Sequence, residues 1–383
     1  MYVRCVDNLA ELQRYRGEWD ALSRGCVFRS WTWLSTWWRH YGELGGRREL
    51  RVYLAFSDVS AEPASLAGVL PCYVDASWSQ GRVLRFLGDG EVCSDHLGLL
   101  ATSHAAHAPA AIATYLADSG DWDLLDLSAV DSDDAASAAL FDGLALNDCT
   151  TSRVSADRCW AIDLPLTWED FLAMQSKSHR KQLRQLDSRL LESGRAEWNL
   201  VTTPAEFASA WSTLVDLHQR RRHSLGEPGC FASRTWATFH WDVAQQLLAE
   251  GRLRLSLMEL DGQPIAAEYH LAGARVTYAY QGGVDPDRLD DEPGQLSTIG
   301  SIKRAIAEGH AQFDLLRGDE PYKAHWRATP RQALRLVAVP QRMWPKLRHR
   351  TWTGARGVVR AVVAGLSEAG GRHILGSQTP ATK

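Results

Sequence analysis

The stretch Phe313-Asp-Leu-Leu-Arg-Gly-Asp-Glu-Pro-Tyr-Lys-Ala-His-Trp326 joins an apolar segment to a charged turn. Its first four residues predict a short buried strand, and Gly318 and Pro321 bring that strand to an end. Polar side chains that follow a buried strand stand on a loop held by a rigid sheet, where functional residues are concentrated. Five reactive side chains lie in this turn: Arg317, Asp319, Glu320, Tyr322 and Lys323. One charge alone is typical of a solvated turn, but five together, beside Trp326, favour a site.

The order of elements that leads to this stretch occurs twice in the chain, which indicates an internal duplication. In the first half we predict strands at 49–56, 67–74 and 82–88, a helix at 105–118 and a strand at 122–128. In the second half we predict strands at 253–260, 264–271 and 276–281, a helix at 296–308 and the strand that begins at Phe313. The pair Asp261-Gly262 predicts a tight hairpin between the first two of these strands.

Each half therefore consists of antiparallel strands, a crossover helix and a final strand that should lie parallel to a neighbour. The predicted fold class is α+β, with two tandem domains of mixed, mostly antiparallel sheet flanked by helices. Residues 128–136 are acidic and small and residues 147–157 are polar, so both predict linkers. We place the boundary near Asp157, which gives domains at 1–157 and 158–340 and a basic tail at 341–383.

The composition is that of an ordinary globular protein large enough for two cores. The chain has 383 residues, of which 45% are hydrophobic and 23% charged, and its net charge is -4. That charge argues against a general nucleic-acid binder, and DNA is not an expected partner. Tryptophan is unusually frequent, at 16 residues. The early cluster of Trp31, Trp33, Trp37 and Trp38 predicts core packing rather than ligand binding.

The cysteines predict neither a zinc site nor a disulfide framework. There are 7, an odd number, scattered along the chain without a C-x-x-C pair. The first twenty residues mix charges with apolar residues, so they do not resemble a signal peptide, and no apolar run reaches the length that spans a bilayer. We therefore expect no metal and a cytoplasmic protein.

The predicted helix at 177–193 has one basic side and one leucine side. Its cations recur at helical spacing: Lys177, Arg180, Lys181 and Arg184. They could attract a phosphate-bearing ligand or an anionic polymer, or they could form an ordinary solvated face. His179 falls on the leucine side, which favours a packed histidine. Two further helices follow: one begins at the capping box of Thr203, and one carries a stripe from Trp236 to Leu247.

The start of the helix predicted at 296–308 could hold a phosphate. Pro293, Gly294, Gln295 and Leu296 lie in the turn that opens this helix, where free backbone N–H groups and the positive end of the helix dipole point outward. Gly282-Gly283, at the end of the preceding strand, would permit a close approach of backbone. A plain junction between loop and helix explains the same residues.

A set of motifs in order along residues 168–339 resembles a known family. The motifs are Ser176-Lys-Ser-His-Arg-Lys-Gln-Leu-Arg184, Gly262-Gln-Pro-Ile-Ala266, Tyr278-Ala-Tyr-Gln-Gly282, Pro293-Gly294 and the stretch from Phe313 to Lys323 with Trp326. They resemble the CelD/BcsL-type acetyltransferases associated with cellulose biosynthesis, a branch of the GNAT superfamily. That family is similar to the FemABX peptidyltransferases, which carry two GNAT-like domains in one chain.

The resemblance implies that an acyl group moves from acetyl-CoA or another acyl-CoA to an amine or hydroxyl of a small-molecule or saccharide acceptor, without a covalent enzyme intermediate. It implies that the pyrophosphate lies on the turn at Pro293, Gly294, Gln295 and Leu296, close to Arg317. Lys323 matches the tyrosine-lysine motif and would stabilise the oxyanion or bind a phosphate. The turn has fewer glycines than the common GNAT signature, and FemABX-like enzymes take the acyl group from aminoacyl-tRNA, so that donor is the alternative.

Acyl transfer needs a base for the nucleophile and a proton for the leaving group. Glu268 is the candidate base, and strand alternation puts it on the same face as His270 and opposite Tyr269. Tyr280 or Tyr322 would donate the proton to the leaving thiolate. The candidate substrate-binding residues are Lys177, Arg180, Arg184, Arg221, Glu320 and Trp326.

The first half lacks a tyrosine-lysine turn, so we expect it to support structure or acceptor binding. The tail carries the cations Arg342, Lys346, Arg348, Arg350, Arg356 and Arg360. Such a segment either lies on an anionic membrane surface at the inner face of the membrane or packs on the body of the protein. A chain without catalytic activity, acting as an adaptor in a polysaccharide synthase complex, is the alternative from another class.

Overall fold

The structure is a computed structural model that describes residues 1–42, 47–57, 65–102 and 107–352. The elements of the first half are β1 (Tyr2–Val6), α1 (Leu9–Leu12), α2 (Arg16–Leu22), α3 (Trp31–Trp37), β2 (Arg48–Phe56), β3 (Leu66–Ser77), β4 (Gly81–Phe86), β5 (Leu100–Ala101), α4 (His107–Ser119), β6 (Leu124–Asp131) and α5 (Ala135–Leu146). Short 3₁₀ and π turns connect several of them. The predicted strands and helix of this half are all present, although the start of the predicted helix at 105 lies outside the described residues.

The elements of the second half are β7 (Thr150–Asp163), α6 (Trp168–Met174), α7 (Lys177–Leu186), β8 (Ala196–Leu200), α8 (Pro204–Ser224), α9 (Arg234–Ala249), β9 (Leu253–Leu260), β10 (Gln263–Ala272), β11 (Val276–Val284), α10 (Pro293–Ala307), β12 (Gln312–Arg317), α11 (Pro321–His325) and β13 (Thr329–Val339). The hairpin predicted at Asp261-Gly262 is confirmed, since both residues have positive φ and Leu260 pairs with Gln263. The capping box at Thr203 is also confirmed.

One continuous sheet runs through the molecule in the order β1-β2-β3-β4-β6-β13-β7-β12-β11-β10-β9-β8, with β5 beside β3. The crossover helices produce the two parallel pairs that the sequence predicts. β4 pairs with β6 at Val83 and Leu124, and β11 pairs with β12 at Val276 and Gln312. Together with the antiparallel neighbours this confirms the α+β fold class and the duplicated order of elements.

The last strand of the second half joins the sheet of the first half. β13, at the end of the second half, pairs with β6 of the first half and with β7. β7 pairs with β13 along most of its length and with β12 near its end. The predicted boundary at Asp157 therefore lies inside a single continuous strand, β7.

The linkers predicted at 128–136 and 147–157 are wrong. The first contains the end of β6, and α5 follows it, while most of the second belongs to β7. Most side chains of β7 are exposed between Thr150 and Arg158, so the sequence carries no alternation of apolar and polar residues. Backbone hydrogen bonds to β13 hold these residues in the sheet. Because β13 lies almost two hundred residues away along the chain, the local sequence pattern does not predict this strand.

The early tryptophans fill the core, as predicted. Trp31, Trp33 and Trp37 are buried, and Trp38 packs against the same cluster. This cluster joins α3 to α9, because Trp33 and Phe239 meet edge to face with ring centroids 5.2 Å apart. A tryptophan cluster therefore ties the first half to the helices of the second half.

Buried charges also join the halves. Arg317 on β12 donates from Nε to Asp95 Oδ1 at 2.7 Å and from its backbone N–H to Asp95 Oδ2 at 3.0 Å. His96 lies between two carboxylates, with Nδ1 2.8 Å from Asp131 and Nε2 3.1 Å from Asp314 Oδ2, off the hydrogen-bond direction. These pairs connect β6 of the first half with β12 of the second.

The described part of the tail packs on the body. Arg348 forms an ion pair with Asp123 at 3.0 Å, and Arg342 donates to the carbonyl of Trp122. The remainder of the tail, with Arg356 and Arg360, lies outside the described residues, so contact with a membrane surface stays a prediction. No helix within the described ranges combines the length and the apolar character needed to cross a membrane.

Candidate functional site

A cleft opens where β11 and β12 separate. The two strands pair in parallel only from Val276 to Tyr278, and a bulge between Asp314 and Arg317 then turns β12 away. Leu316 adopts a positive φ of 58° inside this bulge, and its N–H donates to Asp314 Oδ1 at 2.8 Å. The separation leaves a cavity of about 660 Å³, which lies in front of the turn that the sequence singled out.

Several elements and turns contribute to the wall of this cavity. The side chains and glycines used below are Glu268 and His270 from β10, Tyr280, Gln281 and Gly282 from β11, Gly294, Gln295 and Thr298 from α10, Arg317 from β12, Glu320, Tyr322 and Lys323 from the charged turn, and Arg222 and Cys230 from α8 and the loop after it. The structure thus brings most of the predicted site residues to one place.

The turn that opens α10 divides into a lining part and a core part. Gly294 and Gln295 face the cavity, and a Cβ added at Gly294 would meet nothing nearer than Val284 Cγ1 at 4.0 Å. Pro293 and Leu296 are buried in the core instead. The Gln295 Oε1 atom is buried without a hydrogen-bond partner. That amide oxygen can only accept a hydrogen bond, so it fits a donor group of a ligand, and only the backbone N–H groups of this turn fit a phosphate.

Glu292 places a carboxylate beside the same turn. Its Oε2 atom accepts from Gln182 Nε2 at 2.6 Å and from Gln295 Nε2 at 2.7 Å. The carboxylate stabilises the start of α10, because an anion at a helix N-terminus complements the helix dipole. It also ties α7 to α10, so the basic helix lies next to the predicted phosphate turn.

Lys323 is held by the turn itself. Its side chain is 2% exposed, and Nζ donates to the carbonyls of Leu316 at 3.1 Å, Arg317 at 2.7 Å and Gly318 at 3.1 Å. An ammonium group has three donors, so all of them are used by the backbone. Glu320 adds an ion pair at 3.0 Å. In this arrangement Lys323 fixes the shape of the bulge, and direct contact with an oxyanion would require it to release a carbonyl.

Tyr322 and Glu268 both line the cavity. Tyr322 is half exposed, and partial burial together with the charges of Glu320 and Glu268 raises the pKa of its hydroxyl to about 12. Glu268 pairs with His270, 3.2 Å away, and both line the cavity, while Tyr269 points to the core. The alternation predicted for β10 is therefore confirmed. A protonated tyrosine and a carboxylate are available at the same cavity.

Tyr280 is part of a buried hydrogen-bonded chain. Its hydroxyl donates to the carbonyl of Val92 and lies 3.0 Å from His240 Nε2, whose Nδ1 lies 3.3 Å from the Tyr269 hydroxyl. Burial lowers the pKa of His240 well below its usual range and raises the pKa of Tyr280. Neutral His240 satisfies both tyrosines, so this chain stabilises the core behind the cavity.

Two residues that were predicted to contact a ligand instead make contacts within the protein. The guanidinium of Arg317 is paired with Asp95 and also donates to the carbonyl of Ser94 at 2.8 Å. Trp326 is 4% exposed and lies with its ring edge-on to His179, 4.9 Å between centroids. His179 is buried beside it, with a pKa lowered to about 4 by desolvation and by neighbouring cations. The prediction that His179 is packed is confirmed.

The basic side of α7 forms an exposed surface outside the cavity. Arg184 pairs with Glu169 at 2.9 Å. Within the described ranges, Lys177, Arg180 and Lys181 have no carboxylate within ion-pair distance. Arg221, predicted to bind substrate, is half-buried on α8, and the neighbouring Arg222 is the residue that reaches the cavity wall.

Sequence reasoning did not identify Cys230 and His218 as a pair. The sequence places His218 on the helix that begins at Thr203, and the pattern of the cysteines was considered only for metal ligands and disulfides. The structure folds the loop after α8 back so that Cys230 Sγ lies 3.3 Å from His218 Nε2. Gly226 and Gly229 in this loop both adopt positive φ. Two glycines so close together in the sequence are the signal from which a tight turn after α8 could have been predicted. Among the described residues, no group of three potential ligands is arranged to hold a metal.

Comparisons with known proteins agree with this architecture. Residues 177–324 match a protein family described as an acetyltransferase (GNAT) domain. A crystal structure of FemX is similar at 10% sequence identity with a TM-score of 0.61, and the match covers 87% of this chain and 97% of that one. A conserved protein of unknown function from Bacteroides thetaiotaomicron is similar at 12% identity with a TM-score of 0.55, over 88% of this chain and 99% of that one. A search of curated protein sequences found no match. At these identities the structural similarity shows the fold, which is that of GNAT-type acyltransferases.

Proposed function

We propose that this chain, whose fold is that of GNAT-type acyltransferases, transfers an acyl group from acyl-CoA to an amine or hydroxyl acceptor in the cavity between β11 and β12. The separation of these two parallel strands is the observation that carries the proposal. A diverging strand pair exposes backbone groups that can pair with the amides of an extended ligand. The open turn at Gly294 and Gln295 provides N–H groups for its phosphates.

The residues at the cavity fit the two proton transfers that acyl transfer requires. Glu268 takes the proton of the acceptor as the acceptor attacks the acyl carbonyl. Tyr322, which its raised pKa keeps protonated, gives a proton to the departing thiolate. Lys323 holds the bulge that separates the strands, and so acts on the shape of the site rather than on the reacting atoms.

Binding of acetyl-CoA is measured as a shift in thermal or urea unfolding. A ligand at about 100 times its dissociation constant adds about 2.7 kcal/mol to the free energy of unfolding. Gly294→Glu places a second acid on the phosphate turn and should remove the shift, whereas Gly294→Ala should retain it, because its Cβ meets open space. If Gly294→Glu shows the same shift as the wild type, the ligand does not bind at the start of α10. If the wild type shows no shift, acyl-CoA is not supported as the donor.

An aminoacyl-tRNA donor is the second candidate, and the exposed basic side of α7 favours it. Three cations without acidic partners next to the α10 turn suit a phosphate backbone. Binding of tRNA should weaken steeply with salt, and replacing Lys177, Arg180 and Lys181 by glutamine should flatten the slope of log affinity against log salt. Affinity that does not depend on salt would remove this candidate.

The acceptor and the pathway are proposed from the motif resemblance alone. Under that proposal the acceptor is a saccharide or another small molecule, and the reaction belongs to the synthesis of cellulose, another exopolysaccharide or the cell envelope, beside a synthase complex. A panel of amino sugars and oligosaccharides, assayed for release of free CoA thiol, tests it. Release that depends only on simple amines would argue against a saccharide acceptor.

A further inference from the structure

Cys230 and His218 form a thiol–imidazole pair in the wall of the cavity. The Cys230 Sγ atom lies 3.3 Å from His218 Nε2, which is hydrogen-bond distance for sulfur. On the other side of the ring, His218 Nδ1 lies 2.9 Å from the carbonyl oxygen of Gly282. A carbonyl only accepts, so Nδ1 carries the hydrogen and donates it. Nε2 is therefore left as the acceptor that faces the thiol.

The elements around this pair hold it in place. A Cβ at Gly283 would lie 2.8 Å from the His218 Cα atom, so the glycine allows α8 to lie directly on β11. That close contact brings the His218 ring to the carbonyl of Gly282. Cys230 reaches the ring from the return loop, since Gly229 has a φ of 72° that favours glycine. The glycine pair of β11 thus positions a histidine rather than a phosphate.

The pair opens onto the acyl-transfer cavity. Cys230, Gln281 and Gly282 all line it, and Cys230 is only partly buried, whereas His218 is 2% exposed. Gln281 donates from Nε2 to Cys230 Sγ at 3.4 Å, which stabilises negative charge on sulfur. A nucleophile, a base within reach of it and a group that orients the base are the three parts of nucleophilic catalysis.

Both members of the pair are neutral at rest. Burial raises the pKa of the Cys230 thiol to about 12 and lowers the pKa of His218 below its usual range. A thiol with this pKa forms little thiolate by itself near neutral pH. It reacts only when a base removes its proton during the attack, which the free Nε2 atom of His218 can do.

We infer that Cys230 accepts the acyl group as a thioester before the acceptor receives it, a step that rests on the proposed acyl-transfer function. This two-step route departs from the direct transfer that the motif resemblance implies. Cys230 Sγ bonds to the acyl carbon as the bond from that carbon to the donor sulfur breaks. The thiol proton passes to His218 Nε2, and Tyr322 protonates the departing donor thiolate. In the second step the acceptor attacks the Cys230 thioester and gives its proton to Glu268, while His218 Nε2 returns its proton to the departing Cys230 sulfur. The product leaves, the thiol is restored, and the proton on Glu268 replaces through solvent the one that Tyr322 gave up. Both steps exchange one acyl bond for another, so neither an oxidant nor a reductant is required.

The direct test is the mass of the wild-type chain after incubation with acetyl-CoA and no acceptor. We expect one acetyl group per chain, mapped by peptide analysis to Cys230 and removed by neutral hydroxylamine, which cleaves thioesters. Cys93 is an internal reference, because it is exposed in the same cavity wall and no imidazole is paired with it among the described residues. The adduct is mapped on the unmodified protein, so the result does not depend on the folding of a variant.

The role of His218 is tested by His218→Gln and by pH. Loss of a general base should slow acetylation of Cys230 by a factor of about 100 or more. The matched control is His310→Gln, which removes a buried histidine bonded to Thr277 outside the cavity and should leave the rate unchanged. With His218 present, the rate at Cys230 should be nearly constant above about pH 6.5. Reaction at Cys93 should rise about tenfold per pH unit, because it depends on thiolate.

A second thioester separates failure of this inference from failure of the proposed donor. S-acetylcysteamine carries the thioester but none of the phosphates of coenzyme A. Acetylation of Cys230 by S-acetylcysteamine but not by acetyl-CoA would support the pair and reject acyl-CoA as donor. Stabilisation of the fold by acetyl-CoA without acetyl on Cys230, or equal labelling of Cys93 and Cys230, would overturn the covalent step while leaving the donor site intact. Labelling of neither cysteine by either thioester would overturn it as well.

Discussion

Lys323 can be identified from the sequence as part of the charged turn, but its hydrogen-bond partners cannot. The motif placed it in the charged turn, and the cavity does lie there. The sequence does not show that the bulge turns three carbonyls inward at Leu316, Arg317 and Gly318. Buried carbonyls need donors, and a buried ammonium needs acceptors, so the two satisfy each other. The positive φ of Leu316 that produces this geometry has no local signature, because leucine rarely adopts it.

Lys323→Ala should therefore lower stability before it affects chemistry. Removing the ammonium leaves three inward carbonyls unpaired, and we expect the free energy of unfolding to fall by about 3 kcal/mol. Glu320→Gln is the matched control: it removes only the exposed partner and should cost less than about 1 kcal/mol. Urea unfolding measures both. A fully stable Lys323→Ala protein without activity would instead give Lys323 a direct role in the reaction.

The elements of the second half were predicted well where local pattern and turn chemistry agree. The strand predicted at 253–260 is β9 to the residue, and the Asp-Gly turn fixes its pairing with β10. The Gly282-Gly283 pair predicts a close approach of backbone, and the structure confirms it at Gly283. The element that packs against Gly283 is α8. It is far from β11 along the chain, so the local sequence does not reveal this contact.

Gly283→Ala tests the packing of α8 on β11. The added methyl group would overlap the backbone at Leu217 and His218, so α8 must move. Overpacking of this kind costs about 1 to 3 kcal/mol. Displacement of His218 from the Gly282 carbonyl should also slow acetylation of Cys230 by S-acetylcysteamine. Gly294→Ala, whose Cβ meets open space, is the control for both measurements. An unchanged rate in a destabilised Gly283→Ala would mean that the pair does not depend on this contact.

At the scale of the whole molecule, the buried row of charges makes the two halves one unit. His96 stands between Asp131 of β6 and Asp314 of β12, and Arg29 donates to its carbonyl oxygen. Burial alone would lower the pKa of His96, but the two carboxylates outweigh it and hold that pKa well above its usual range. The charged histidine is thus more stable in the folded protein than in the unfolded chain.

The pH dependence of stability follows from the direction of this shift. Because the folded-state pKa of His96 is raised, its contribution is complete below about pH 6.5, the value in an unfolded chain, and is lost as pH rises through the folded-state pKa. His96→Asn, a residue that tolerates the positive φ found here, should remove that contribution. Urea unfolding from pH 5 to 9 should show a difference between wild type and variant that is constant at low pH and shrinks as pH rises. A difference that does not change with pH would mean that the pKa of His96 is the same in the folded and unfolded states, and a difference that grows with pH would mean that His96 is held neutral in the fold.

The pairing of β13 with β6 of the first half also has a consequence for folding during synthesis on the ribosome. β6 emerges early, and its neighbour β13 is translated almost two hundred residues later. At about 5 to 20 residues per second, the edge of β6 stays without its partner for about 10 to 40 s. An apolar strand with an open edge is a template for aggregation during that interval. The yield of folded protein in cells should therefore depend on chaperones that bind nascent chains. It should also depend on the speed of translation from β7 to β12, which synonymous codon changes alter without changing the amino-acid sequence.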